Sequence, residues 1–383
     1  MRENLCKLPY ITSIKTKKNS ILFNKFPLFI GANSNSKSVK SKKFFLKKNK
    51  HKFLQLKSSK ESFLKNQKIY LSRNYVHNTP PPEKKGWGNY LGEKQFQRIK
   101  NFLKNNIDLL EIGAGSLFFA NRITKKYPKL NYTVVDPFLK NSKGKKNLKI
   151  LNLFFPSSKL NSKKFDLIIL FNCLEHILHV DNSVKSLNKL LKPKGIILLE
   201  VPEVSRQVKE SDFNMFTFEH QNYFDRESLK ILFSKYNLKM IKSKLFNDTI
   251  FSVFKKEETG NFNLKKSKPL DLRNFENKLN MIKDKINFCK KHDLKFGIHG
   301  ATFGAYNILY LLNLHKDKNI KVFDSDKFKV GKFFGTANIK VKKTYSKEYS
   351  KLDFLFITAS SYKKEILKEI KDKDLKFKKI ISL

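Results

Sequence analysis

The run LLEIGAGS, from Leu109 to Ser116, constrains this chain more than any other segment. A short apolar strand leads into Gly113, Ala114 and Gly115, and a stretch from Leu117 to Lys126 follows with helical spacing. Glycines at such a bend permit a tight turn and let backbone N–H groups approach a ligand at the start of a helix. Asp136 closes the next apolar segment, Tyr132 to Val135, where a carboxylate accepts hydrogen bonds from both hydroxyls of a ribose. These are the parts of a nucleotide-binding first turn. The third glycine of a GxGxxG pattern is absent, with Phe118 in its place, which tells against a dinucleotide site.

The rest of the chain repeats the alternation of strand and helix. Phe96 to Asn105 reads as a helix, and strands are expected at Lys149 to Leu153, Phe165 to Phe171 and Gly195 to Val201. Continuous apolar runs such as DLIILF and GIILLEV suit parallel strands buried on both faces. Phe275, Leu279, Ile282, Ile286 and Cys289 form one apolar stripe on a helix. A second α/β unit follows: strand Lys295 to Ile298, a glycine turn at Gly300 to Gly304, helix Thr302 to Leu312, strand Ile320 to Phe323 and then Asp324. Later come a strand at Phe354 to Thr358 and a helix near Lys363 to Ile370. The expected fold class is therefore α/β: a doubly wound, Rossmann-like core over residues 79–255, a smaller Rossmann-like domain over 256–383, and a small irregular N-terminal module over 1–78. Pro80, Pro81 and Pro82 mark the connection after that module.

At 383 residues, with 36 Phe, the chain has material for more than one core. The 80 Lys plus Arg against 33 Asp plus Glu give a formal charge of +47, the balance of a nucleic-acid or anionic-surface protein. The excess is almost all Lys, spread from end to end and accompanied by Asn, Ile and Phe, as in a composition drifted towards A and T. Nucleic acid is therefore not the expected partner. Cys6, Cys173 and Cys289 are far apart and form neither a disulfide framework nor a thiolate zinc set. No apolar run approaches the ~20 residues needed to cross a bilayer. A cytoplasmic protein is expected, with no transmembrane segment.

Glu111, two residues ahead of Gly113, places an acid where it can meet the cationic amino-acid end of S-adenosylmethionine. With FDLIILFNCLEH and LLKPKGIILLEVPE following in order, the chain resembles class I methyltransferases. The cofactor set expected from this resemblance is Glu111, Gly113, Ala114, Gly115, Asp136, Asn152 and Asn172. Two Glu-His pairs stand out, Glu175-His176 and Glu219-His220, the second inside FTFEHQNYF; imidazole is a general base near neutral pH.

EHQNYF, a preceding YVHN and a second glycine-turn domain containing HGATFGAYNIL and VFDSDKFKVGKFFG resemble the sugar C-methyltransferase family, which methylates a nucleotide-linked keto-sugar at carbon. The resemblance implies that His220 removes a proton beside a ketone, after which the enolate attacks the methyl sulfonium. Glu219, His176 and Tyr75 would bind or polarise the sugar, and Tyr223 would line its site. The second glycine turn, from Gly300 to Gly304, either holds a nucleotide diphosphate or packs a helix against a strand, and Asp324 after the next strand favours the ligand. The chain departs from that family in two places. Of the four-cysteine zinc module only Cys6 is visible, with Lys48 and His51 where a cysteine pair would precede HKFLQL, so no metal is expected. Thr217 stands where the family tends to carry a tyrosine. Transfer to another small molecule or to RNA, or cofactor binding with impaired turnover, are the alternatives these departures leave.

Overall fold

A computed structural model of the protein describes residues 14–27, 32–33, 41–57, 60–71, 87–139, 143–246, 248–257, 270–317, 319–334 and 339–383. Strands β1 (Ile14–Lys17), β2 (Ser20–Pro27), β3 (Ala32–Asn33), β4 (Ser41–Lys48) and β5 (Leu54–Leu56) precede helices α1 (Lys60–Leu71) and α2 (Trp87–Ile99). The parallel core then runs β6 (Asp108–Ile112), α3 (Phe118–Lys126), β7 (Asn131–Val135), β8 (Leu148–Leu151), β9 (Phe165–Phe171), α4 (Val180–Leu190) and β10 (Leu191–Pro202). Helix α5 (Val204–Lys209), the two-residue strand β11 (Asn222–Tyr223) and α6 (Arg226–Ser234) lead into the hairpin β12 (Leu238–Phe246) and β13 (Thr249–Lys256). The terminal unit consists of α7 (Asn274–Lys291), β14 (Phe296–His299), α8 (Phe303–Leu311), β15 (Lys321–Asp324), β16 (Phe333–Phe334), β17 (Val341–Lys343), α9 (Lys347–Ser350), β18 (Phe354–Ile357), α10 (Lys363–Asp372) and β19 (Lys379–Ser382).

The central sheet has the order β12-β13-β10-β9-β6-β7-β8, with β10 through β8 parallel. The chain winds outward from β6 to β8, then returns to β9 on the other side of β6. The carboxyl ends of β6 and β9 therefore flank the switch point where doubly wound sheets bind ligands. The terminal sheet, β17-β15-β14-β18-β19, is all parallel and repeats the device, with its switch between β14 and β18. The strand expected at Phe165 to Phe171 has those bounds, and the other core strands differ from expectation by a few residues at their ends.

Two elements depart from the sequence reading. The N-terminal module, expected to be irregular, is an antiparallel sheet of order β1-β2-β4-β5-β11, whose last strand comes from the middle of the chain. Its inner face carries Phe23, Phe26 and Phe44, which pack on Phe216 and Phe218; Phe23 and Phe216 ring centroids lie 5.0 Å apart and Phe44 and Phe218 5.1 Å. His51 donates from Nε2 to Asp181 at 3.0 Å, joining this sheet to α4. On β4, Lys43 and Lys47 are exposed on the outer face and Phe44 and Leu46 are buried on the inner one, while half-buried Lys42 and Lys48 at the ends of the strand share the inner parity and obscure the pattern.

Helix α2 begins nine residues before the expected Phe96 and ends before Asn105, because its buried face is partly polar. Gln95 Nε2 donates to Glu200 Oε1 at 2.7 Å, Arg98 pairs with Glu200 Oε2, and the Arg98 guanidinium lies 3.9 Å over the Phe246 ring. Glu200 is fully buried on β10, so its charge depends on these partners. Arg98→Met is expected to destabilise the chain by about 3–5 kcal/mol in urea unfolding, and adding Glu200→Gln to recover a substantial part of the loss, since an unpaired buried charge is then removed.

Candidate functional site

The first glycine turn is shaped by what surrounds it. Gly113 has φ +74°, and a Cβ there would lie 2.4 Å from Cys173 Sγ, so side-chain packing demands this glycine. Gly115 has φ +61°, but a Cβ there would meet nothing within 4 Å: that side of the turn faces open space. Asp136 accepts from the Gly115 N–H at 2.7 Å and the Phe138 N–H at 2.6 Å, while burial raises its pKa against these two bonds. Glu111 is buried and accepts from the Tyr132 hydroxyl at 2.7 Å. An open, left-handed glycine between two fixed carboxylates fits an adenosine bearing a cationic tail. Asn152, at the end of β8, and Asn172, after β9 with φ +49°, are both exposed at the carboxyl edge of the sheet.

Beyond Cys173 the chain turns through Leu174–His176, and here the two Glu-His pairs meet. His176 Nδ1 donates to the Glu219 carbonyl at 2.9 Å, which fixes the proton on Nδ1 in the neutral ring. The His176 and His220 rings lie edge to face with centroids 4.9 Å apart, and the Tyr223 ring is 5.9 Å from His220. The Glu175 carbonyl accepts from the Gln221 N–H at 2.7 Å, tying the two segments a second time. Cys173 touches both halves of the site: it packs on Gly113, and burial together with the Glu175 and Asp136 carboxylates pushes its thiol pKa up.

Three groups at this junction titrate abnormally. Burial and the neighbouring His176 hold His220 well below the usual histidine range, so it is neutral at pH 7. Burial pushes Glu219 up to about 7. Glu175 is pushed up to about 8 by burial, with the Glu200 charge adding to it, and one of its oxygens is buried without a hydrogen-bond partner. Glu175, His176 and His220 present donor atoms within 4.8 Å of one another, the one group among the described residues with the types and spacing to hold a metal ion.

Tyr75 lies outside the described residues. The Tyr223 hydroxyl, expected to face substrate, is buried and donates to the Thr217 carbonyl at 2.9 Å, so it braces the loop. Thr217 Oγ1 accepts from the Glu219 N–H at 3.1 Å. Gly300 and Asp324 belong to the turn of the terminal sheet, where Asp324 accepts from the Ala301 N–H at 2.8 Å and pairs with Lys329. The sequence singles out Glu175 only as the neighbour of His176 and Cys173 only as an unpaired thiol; the contact of Cys173 with Gly113 leaves no signal in the sequence.

A doubly wound sheet with an open glycine turn at its switch point defines a nucleotide-cofactor domain. Residues 87–243 match the family model of a methyltransferase domain, and S-adenosylmethionine is the cofactor that goes with it. Among solved structures, the chain resembles the CurJ carbon methyltransferase (20% identity, 44% of this chain and 54% of that one, TM-score 0.34). It also resembles the cyclopropane synthase MmaA2 from Mycobacterium tuberculosis (15%, 43% and 67%, TM-score 0.34) and the [4+2]-cyclase SpnF (9%, 51% and 92%, TM-score 0.39). No protein of curated function matches the chain.

Glu175 offers a test of the site electrostatics. Its folded pKa of about 8 lies above the usual 4.5, so the folded state holds a proton that the unfolded state releases between these values, and this contribution to stability is lost as pH rises through that window. Glu175→Gln carries no such proton. Its thermal midpoint is expected to exceed the wild type's by ~3 °C or more at pH 9 and to match it at pH 4, read by calorimetry.

Proposed function

We propose that the protein transfers a methyl group to a carbon of a nucleotide-linked keto-sugar. The observation that carries this reading is the neutral imidazole of His220, held beside Glu219 and against His176, next to the residues that frame the cofactor turn. A histidine kept unprotonated by its surroundings is a ready acceptor for a proton. Glu111 and Asp136 would hold the two ends of S-adenosylmethionine, which would supply an activated methyl sulfonium that needs no further activation from the protein.

The work left to the side chains is to make a carbon nucleophile. His220 takes the proton from the carbon beside the ketone, and the C–H electron pair moves into an enolate. Glu219, half-buried and protonated below about pH 7, donates to the keto oxygen and lowers the cost of that charge. His176, with Nδ1 committed to the Glu219 carbonyl, keeps that segment in place. A basic surface favours a substrate carrying a diphosphate.

Incubation with labelled cofactor and a panel of nucleotide-linked 4-keto-sugars tests the reading. A new carbon-bound methyl is expected; transfer only to oxygen, nitrogen or RNA, or cofactor binding with no transfer to any sugar, overturns it. His220→Ala is expected to lower turnover by about 10²–10⁴ with cofactor affinity retained. Turnover of the wild type is expected to fall as pH rises through about 7, where Glu219 loses its proton, and Glu219→Gln, which keeps a donor, to flatten that limb.

A further inference from the structure

The second glycine turn has the outline of a ligand site: it follows β14, opens α8 and sits at the switch point of the terminal sheet. Its interior is nevertheless filled by the protein. Gly300 has φ +106°, and a Cβ there would lie 3.0 Å from both Ala359 Cβ and Thr358 Oγ1, in the loop after β18. The N–H groups of Gly300, Ala301, Gly304 and Ala305 already have acceptors: Phe323 O, Asp324 Oδ2, Asn214 Oδ1 and Thr302 Oγ1. Lys329 Nζ donates to the Ala301 carbonyl at 3.2 Å and pairs with Asp324, so the acid that would meet a ribose is neutralised internally.

The decisive group comes from the other domain. Asn214 Oδ1 accepts from the Gly304 N–H at 2.8 Å, and its Nδ2 donates to the Thr358 carbonyl at 2.8 Å, bridging the two sides of the switch point. A Cβ on Gly304 would meet Asn214 Cγ at 2.8 Å, so this glycine is required by the asparagine rather than by a phosphate. Asn307, fully buried on α8, donates through Nδ2 to the carbonyls of Phe213 (2.9 Å) and Phe216 (2.8 Å). Ser360 adds a bond to Asp212 at 2.6 Å. Phe213, Asn214 and Phe216, which α8 and its turn grip, lie just ahead of Thr217, Glu219 and His220. The first turn differs in kind, because its Gly115 faces open space.

We infer that the second glycine turn is the socket of the loop that carries Glu219 and His220, not a nucleotide site, and that Asn214 is a positioning residue for that loop. The catalytic consequence rests on the reading of His220 as the base; the mechanical one does not.

Two variants of the full chain release the same bond from opposite sides. Asn214→Ala deletes the plug. Gly304→Ala displaces it while improving the helix propensity of α8. In both, amide hydrogen exchange at residues 216–223 is expected to rise at least tenfold, with exchange at 109–116 and affinity for S-adenosylhomocysteine unchanged. Turnover is expected to fall tenfold or more with little change in the Michaelis constant, and Asn214→Asp, which keeps the acceptor for Gly304, to restore part of it. Unchanged exchange at 216–223, an equal rise at both segments, or binding of inorganic pyrophosphate to wild type that Asp324→Ala abolishes would each overturn the inference. Because exchange is read without substrate, a protein that methylates no sugar still decides it.

Discussion

The segment from Phe213 to Phe224 carries Glu219 and His220, yet apart from a single turn and a two-residue strand it has no regular structure in which to satisfy its own backbone. A buried chain in that position needs outside partners for its polar groups. It finds them in both neighbours. Strand β5 pairs with β11, placing Leu54 opposite Tyr223 and Gln55 opposite Asn222, and the Leu56 N–H donates to the Gln221 carbonyl. From the other side, Asn307 takes the Phe213 and Phe216 carbonyls. The position of His220 is thus set jointly by the N-terminal sheet and the terminal domain.

The apolar packing agrees with that division of labour. One continuous core joins Phe23, Phe44 and Leu54 of the N-terminal sheet, Phe213, Phe216 and Phe218 of the loop, and Phe275, Tyr306 and Phe356 of the terminal domain. The methyltransferase sheet keeps separate cores on its two faces. Where the resemblance leads one to expect a zinc-bound module, aromatic rings hold the sheet together, and His51 docks it on Asp181.

The parallel strands were legible because burial on both faces leaves an uninterrupted apolar run, as in Phe165 to Phe171. The cofactor turn was legible because glycine at positive φ is a chemical requirement, not a tendency. The N-terminal sheet was not: adjacent lysines, Lys42-Lys43 and Lys47-Lys48, flank the buried residues of β4 and hide its period of two, and its fifth strand lies more than 160 residues away, paired as Gln55 to Asn222. Helix α2 was misplaced because Gln95 and Arg98 on its buried face interrupt the apolar stripe. Within the site, Glu219 and His220 could be picked out by residue type, whereas Asn214 is an ordinary polar residue until the fold brings Gly304 against it. The same glycine pattern therefore had two readings, and only the neighbouring atoms separate an open turn from a filled one.

The pairing of β5 with β11 also orders events during synthesis. Leu54 leaves the ribosome well before Tyr223 exists, so the edge of the N-terminal sheet must wait unpaired while the methyltransferase sheet is being made. The loop, once paired on that side, still lacks Asn307 and Thr358 on the other. The cofactor half of the site can assemble while the polypeptide is still growing, whereas the half that carries His220 is completed only after the last parallel strands have emerged. Chemistry is in this way made conditional on having the finished chain.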